Sequence, residues 1–290
     1  MKKIAYFASV LAIAAATLVQ TGCKKDNDVA ADNEMVSDNN SAEAEFDDLS
    51  SVEQDLMDKN EASLDGRAAS IIVIDYDNGV RATIDNVVKT IIVDFSPNGT
   101  ATTANDGRQR KGKINIAYTA RLRTAGAVIT TTFDNYYVKG PAATDFTKVE
   151  GTKKMTNLSV SNGVYQFKRE VTNGKLTFPN SQTFTWNATR YIDWNSNNTF
   201  TNRWDDIFTQ KTNSVATGTD RRGQSFSYTV TKDVVVKNSC MTTRRFRPVS
   251  GTVEIIPGDR AKRVIDYGNG DCDNTFTVTV NGRTYTITQN

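Results

Sequence analysis

Residues 183–194 read TFTWNATRYIDW, and the alternation in this stretch decides the fold class. Phe184, Trp186, Ala188, Ile192 and Trp194 fall on one side of an extended chain, because successive side chains of a strand point to opposite faces. The same period of two recurs in VYQFKREV (164–171), where Tyr165, Phe167 and Val171 oppose Gln166, Lys168 and Glu170. In QSFSYTVTKDVVV (224–236) it sets Phe226, Tyr228 and Val230 in one row ahead of an apolar end. Further strands are expected over 70–76, 87–95, 113–122, 127–138, 252–257, 261–267, 274–280 and 284–288, the last two joined by the hairpin signal Asn281-Gly282-Arg283. Regular turns without an evident amphipathic helix predict an all-β body of antiparallel sheets over 68–290, as a sandwich or a large curved sheet.

The two ends of the body echo one another. IIVDFSPNGT with NDGRQRKGKINI parallels RVIDYGNGDCDNTFTVTVNGRTYTI, and VIDYDNG at 73–79 repeats the opening. Either the body consists of two related halves, or one Asp-aromatic-Gly hairpin end recurs.

The chain opens with Lys2 and Lys3, an uncharged run over 4–19, and Gln20-Thr21-Gly22-Cys23. This pattern predicts a signal peptide over 1–22, too short to serve as a membrane span. Gly22-Cys23 resembles the lipobox of bacterial lipoproteins, although Gln20 stands where an apolar residue is usual. That resemblance implies acylation, palmitate included, of Cys23 and a membrane partner through the lipid. Lys24-Lys25-Asp26-Asn27-Asp28 resembles the charged segment behind the lipid cysteine of surface-exposed Bacteroidota lipoproteins. The implied address is the outer membrane, surface-exposed, with the periplasmic face as the alternative. RKGKINIAYTARLRTAGAVITTTFDNYYVKG, KVEGTKKMTN and GTVEI…DYGNGDCDN resemble Bacteroidota lipoproteins of unknown function over most of 92–290 and imply no reaction.

Charge is unevenly distributed. Residues 24–67 hold fourteen Asp and Glu against four Lys and Arg, net −10, and 68–290 hold nineteen against twenty-nine, net +10. The first segment has few aromatic or β-branched residues, so a disordered, flexible acidic tether is expected over 23–67, with at most a turn or two of helix around Val52 and Leu56. In the body, cations cluster at Arg108, Arg110, Lys111 and Lys113, at Arg121 and Arg123, at Arg221 and Arg222, and at Arg244, Arg245 and Arg247. They protect strand edges or form a surface for a polyanion.

Histidine is absent, which excludes His-dependent triads and His-ligated zinc. Cys240 and Cys272 are left as a pair once Cys23 is set aside, which reads as a disulfide, with buried thiols as the alternative. Asp266, Asn269, Asp271 and Asp273 offer oxygen ligands of the kind a calcium loop uses, but they depart from the EF-hand pattern, and turn-capping explains the same residues. Trp204 with Asp205 and Asp206 has the composition of a sugar-binding edge, whereas Trp194 falls on the core side. Glu150, Glu170 and Glu254 alternate against apolar neighbours and are expected to face solvent. No nucleophile elbow, phosphate loop or zinc spacing occurs. The sequence therefore favours a lipid-anchored, non-enzymatic binding or structural domain for a glycan or acidic envelope polymer, without nucleic acid. The alternative is a glycan-processing hydrolase using Asp carboxylates.

Overall fold

A computed structural model describes residues 26–60, 71–76, 78–104, 107–197, 204–240, 248–273 and 275–288. One helix, α1 (Asp26–Lys59), precedes sixteen strands. In chain order these are β1 (Ile71–Asp75), β2 (Arg81–Asp85), β3 (Thr90–Asp94), β4 (Thr102–Thr103), β5 (Gln109–Tyr118), β6 (Val128–Lys139), β7 (Thr147–Ser161) and β8 (Val164–Thr177). Then come β9 (Thr183–Asn195), β10 (Ile207–Gln210), β11 (Val215–Thr219), β12 (Ser225–Lys237), β13 (Pro248–Pro257), β14 (Arg263–Asn269), β15 (Thr275–Val280) and β16 (Arg283–Thr288).

All the strands belong to one antiparallel sheet that runs almost as a meander from β1 to β16. The body is thus the large curved sheet of the two expected forms. β10 and β11 share the lane between β9 and β12 and act as one strand interrupted at 211–214. The echoing segments are matching turns. Asp94 accepts the amide of Ser96 and Asp266 that of Gly268, each at 2.9 Å, so the same Asx hydrogen bond closes β3 at its last residue and recurs within β14.

The sheet bends because extra residues are inserted along a line that crosses it. Register shifts fall at Lys111/Lys113 between β5 and β6, Thr132/Tyr137 between β6 and β7, Glu150/Thr152 between β7 and β8, and Val171/Gly174 between β8 and β9. Each bulge adds local twist and turns the strand. Gly112 is required in this line: its φ is +85°, and a Cβ there would stand 1.8 Å from the carbonyl oxygen of Asn135.

Only one face of the sheet is apolar, with Ile84, Ile91, Ile114, Ile129, Val149, Phe167, Trp186, Tyr228 and Val253 all buried on it. A single sheet with one apolar face needs something to pack against. α1 supplies it. Met35, Ala42, Phe46, Leu49, Val52, Leu56 and Met57 are buried in the same core as the strand residues. Phe46 meets Phe133 and Trp186 edge-on, with centroids 5.4 and 5.0 Å apart.

The expectation of a flexible tether is therefore corrected for Asp26–Lys59. Alone, this segment has the composition of a chain that does not order, but Met35, Ala42, Phe46, Leu49 and Leu56 follow the three- and four-residue spacing of one helix face. The sheet provides the surface that face requires. The expected signal peptide and Cys23 lie outside the described residues, among which no helix is long and apolar enough to cross a membrane.

Candidate functional site

The inward rows of the sheet are interrupted by cations at positions where alternation calls for apolar side chains. Arg169 stands in the row of Tyr165, Phe167 and Val171, Arg190 in that of Trp186 and Trp194, and Lys153 in that of Val149 and Met155. All three are almost fully buried. A buried charge is tolerated only when paired and hydrogen-bonded, and the partners come from α1.

Glu43 receives two guanidinium groups. Arg190 donates to it from Nη2 at 2.8 Å and from Nε at 3.3 Å, and Arg169 Nη2 donates at 2.8 Å. Burial pushes the Glu43 carboxyl up, but Arg190 and Arg169 outweigh it and hold the group below the ordinary glutamate range. Burial lowers Arg169, with Glu43 opposing. The Arg190 guanidinium also lies 4.3 Å from the ring centroid of Tyr228, whose hydroxyl is pushed up by burial.

The remaining contacts repeat this arrangement along α1. Lys153 Nζ donates to Glu53 Oε2 at 2.6 Å, and the Thr131 hydroxyl donates to the other carboxylate oxygen. Arg108 Nη1 donates to Glu45 at 3.0 Å, Arg221 Nε to Asp38 at 2.7 Å, and Arg123 pairs with Asp58. Acidic α1 and the basic sheet are thus halves of one buried interface. The basic clusters divide by alternation: Arg108 and Arg110 turn inward, while Lys113 is exposed. On the outer surface, Glu150, Glu170 and Glu254 pair with Lys148, Lys168 and Lys262 at 2.7–2.8 Å.

The sites read from sequence are dispersed. Trp204 is exposed, but Asp206 is buried and its carbonyl accepts the Asn238 amide at 3.0 Å, so it does not share an open surface with Trp204. The carbonyl of Asp205 accepts from Asn197 Nδ2 at 2.7 Å. Trp194 is in the core, 5.0 Å from Tyr165. Arg244, Arg245 and Arg247 lie outside the described residues. Asp266, Asn269, Asp271 and Asp273 are exposed, with Asp273 accepting the Thr275 amide in an Asx turn at 3.1 Å. Among the described residues, no group of three carboxylates or cysteines is arranged to hold a metal ion. Cys240 and Cys272 form the expected disulfide, with Cα atoms 5.2 Å apart and a sequence separation of 32, which contributes about 3–4 kcal/mol.

The cation-bearing inner face is the site that sequence reasoning missed. Its signal is present in Arg169 and Arg190, single charges in otherwise apolar rows that need acidic partners. The supply of acid lies in residues 24–67. Comparison with family models, with curated proteins and with solved structures finds no match.

Proposed function

We propose that this protein is a lipid-anchored component of the bacterial cell envelope, held at the outer membrane through Cys23, whose β-domain binds an anionic envelope ligand without catalysing a reaction. The observation that carries the binding reading is the convergence of Arg108, Lys153, Arg169, Arg190 and Arg221 on the inner side of one curved sheet, each matched to a carboxylate of α1. Cations that merely protected edges would be scattered along outer strands. Five pointing to one side give that side a capacity for anions that a purely structural core does not require. The lipobox-like Gly22-Cys23 supports the address.

The test is a screen of the full chain against envelope polyanions, acidic glycans and anionic lipids at low and high ionic strength. Binding that falls with salt and is lost on changing Arg169 and Arg190 to Gln is expected. Binding that ignores both salt and these substitutions would reject the reading. Separately, Cys23→Ala is expected to abolish incorporation of a fatty-acid probe, and undiminished labelling would remove the lipid anchor.

A further inference from the structure

The sheet has two ends, and they differ. β16 reads RTYTIT, with a threonine at every second place. β1 reads IIVID, four β-branched residues and one acid. Strand edges are normally blunted by lysine, proline or a bulge, because their open backbone groups template further pairing. β1 carries none of these, and among the described residues it pairs with β2 alone, in unbroken register. Ile71 and Val73 are 68 % and 59 % exposed, and Val87, Val88 and Ile92 add exposed apolar surface on the neighbouring hairpin of β2 and β3.

The ladder fixes which backbone groups of β1 lie open. The amide of Tyr76 donates to the Val80 carbonyl at 2.7 Å, and bonded and unbonded pairs alternate along an antiparallel ladder. Ile74 and Ile72 are therefore the residues that bond Ala82 and Ile84 of β2. The N–H and C=O groups of Ile71, Val73 and Asp75 point the other way, out of the sheet's edge. The phase read from β3 agrees: Phe95 donates to the Gly112 carbonyl at 2.9 Å, so β3 bonds β5 through Ile91 and Val93 and bonds β2 through Thr90, Ile92 and Asp94. That leaves Ala82 and Ile84 for β1.

We infer that β1 is a self-association edge, pairing antiparallel with β1 of a second copy about a two-fold axis at Val73, so that the two sheets run on as one. This edge lies apart from the cation-bearing inner face, so failure of either reading leaves the other standing.

Three observations select a second copy as the partner. The strand's one charge, Asp75, lies 3.7 Å from Arg81 of its own chain, so the edge asks a partner for no counter-charge. The strand also complements itself. With Val73 opposite Val73 of the second copy, all three open residues of each strand are engaged, and Ile72 and Ile74, half-buried against the core, face one another on the inner side. The two Asp75 side chains then stand at opposite ends of the seam, whereas a register centred on Asp75 would set like charges face to face. Last, the two-fold pairing closes. It covers both β1 edges at once and leaves the threonine-rich β16 edges outermost, while joining β1 to β16 of another copy would leave an open β1 at the end of every assembly. Five residues make a short seam, smaller than the ~1,200–2,000 Å² of a stable complex. The dimer is therefore a reversible one that dilution dissolves.

The experiment uses the full chain carrying Cys23→Ala, in which Cys240 and Cys272 are bonded to each other and no other thiol is present. Sedimentation across a dilution series should show a monomer–dimer equilibrium. Val73→Pro removes an N–H directed at the seam and none directed at β2, and Val73→Lys sets two cations face to face at the axis. Each change acts on both strands and should weaken association ~10-fold or more, with far-UV circular dichroism unchanged. Under mild oxidation Val73→Cys should cross-link two chains. Ile71→Cys should not, because in this register its two copies lie four residues apart, about 13 Å at ~3.3 Å per residue, beyond the ~7 Å that a disulfide spans. A chain that stays monomeric at every concentration overturns the inference. So do cross-linking through Ile71→Cys, a dimer indifferent to both Val73 variants, and assemblies that grow past two. The cross-linking readout replaces only an exposed side chain, so a misfolded Val73→Pro does not obscure the outcome.

Discussion

Two sets of Lys/Arg–carboxylate pairs occur in this molecule, one inside the curved sheet and one outside it. Lys153 and Glu53 are 1 % and 0 % exposed and lie 2.6 Å apart, while Lys168 and Glu170 are each 30 % exposed and 2.7 Å apart. The contact distances are nearly equal, but the surroundings are not. In water the two charges are solvated with or without each other, so their pairing adds little. Inside, each is the other's replacement for lost hydration, so neither is tolerated alone. Proximity alone therefore does not rank these pairs, and burial sets which of them govern the seating of α1.

The largest effect should come from removing the carboxylate that faces an inner charge. Glu53→Ala removes the acceptor of both Lys153 and Thr131 and is expected to cost about 3–5 kcal/mol in urea unfolding. The comparison sharpens with the double change Glu53→Leu and Lys153→Met. It removes both charges and should recover most of the loss, or exceed the native stability, because well-packed apolar residues often replace a buried pair at no cost. If the double variant is as unstable as Glu53→Ala, packing at this site, and not the uncompensated charge, is what matters.

A smaller effect is expected from acid. Glu43 titrates below its usual value of about 4.5 because Arg190 and Arg169 favour its charged form over the opposing effect of burial. A carboxyl lowered in the folded state stabilises the fold above its unfolded pKa, and that stabilisation fades as pH falls through the lowered value. α1 should therefore loosen below about pH 4.5, while Lys168–Glu170 on the outer surface bears on no helix. Hydrogen exchange should show residues 35–59 losing protection before β8 and β9 do. Simultaneous loss would make helix and sheet a single cooperative unit.

The strands are legible in the sequence where a long inward row is mostly aromatic or aliphatic, as in β8, β9 and β12, whereas β2, whose inward row is only Ala82 and Ile84, is not among the expected strands. β7 was missed because its inward row carries Lys153 and Asn157, the latter donating through Nδ2 to the Leu122 carbonyl at 2.9 Å. β10 and β11 were missed because each covers only part of a lane. The interior site was illegible for a related reason. Composition over 24–67 describes a chain with no surface to fold on, and the stripe from Met35 to Leu56 is diluted by Asp38, Asn39 and Glu53, which are buried in the helix interface. Those polar residues make sense only beside Arg221 and Lys153, which lie 183 and 100 positions away. Pairings at such separations are a property of topology, and no local window contains them.

The smallest effect belongs to the outer pair. Lys168 is raised above its usual value of 10.5, first by the hydrogen bond to Glu170, with burial opposing and the Glu170 charge assisting. A lysine raised in the folded state stabilises the fold below its unfolded pKa, and the contribution is lost as pH climbs through the raised value. Near neutrality the pair is fully formed, yet both side chains remain partly solvated, so Lys168→Ala and Glu170→Ala should each cost about 0.2–1 kcal/mol. A double-mutant cycle on Lys168 and Glu170, run beside one on Lys153 and Glu53, isolates the coupling within each pair. The outer coupling should shrink further in 1 M salt, where the screening length is about 3 Å, while the inner coupling, shielded from solvent by α1 and the sheet, should hold. Equal salt sensitivity of the two couplings would mean that water reaches Lys153 and Glu53, and that the inner face is not sealed by its helix.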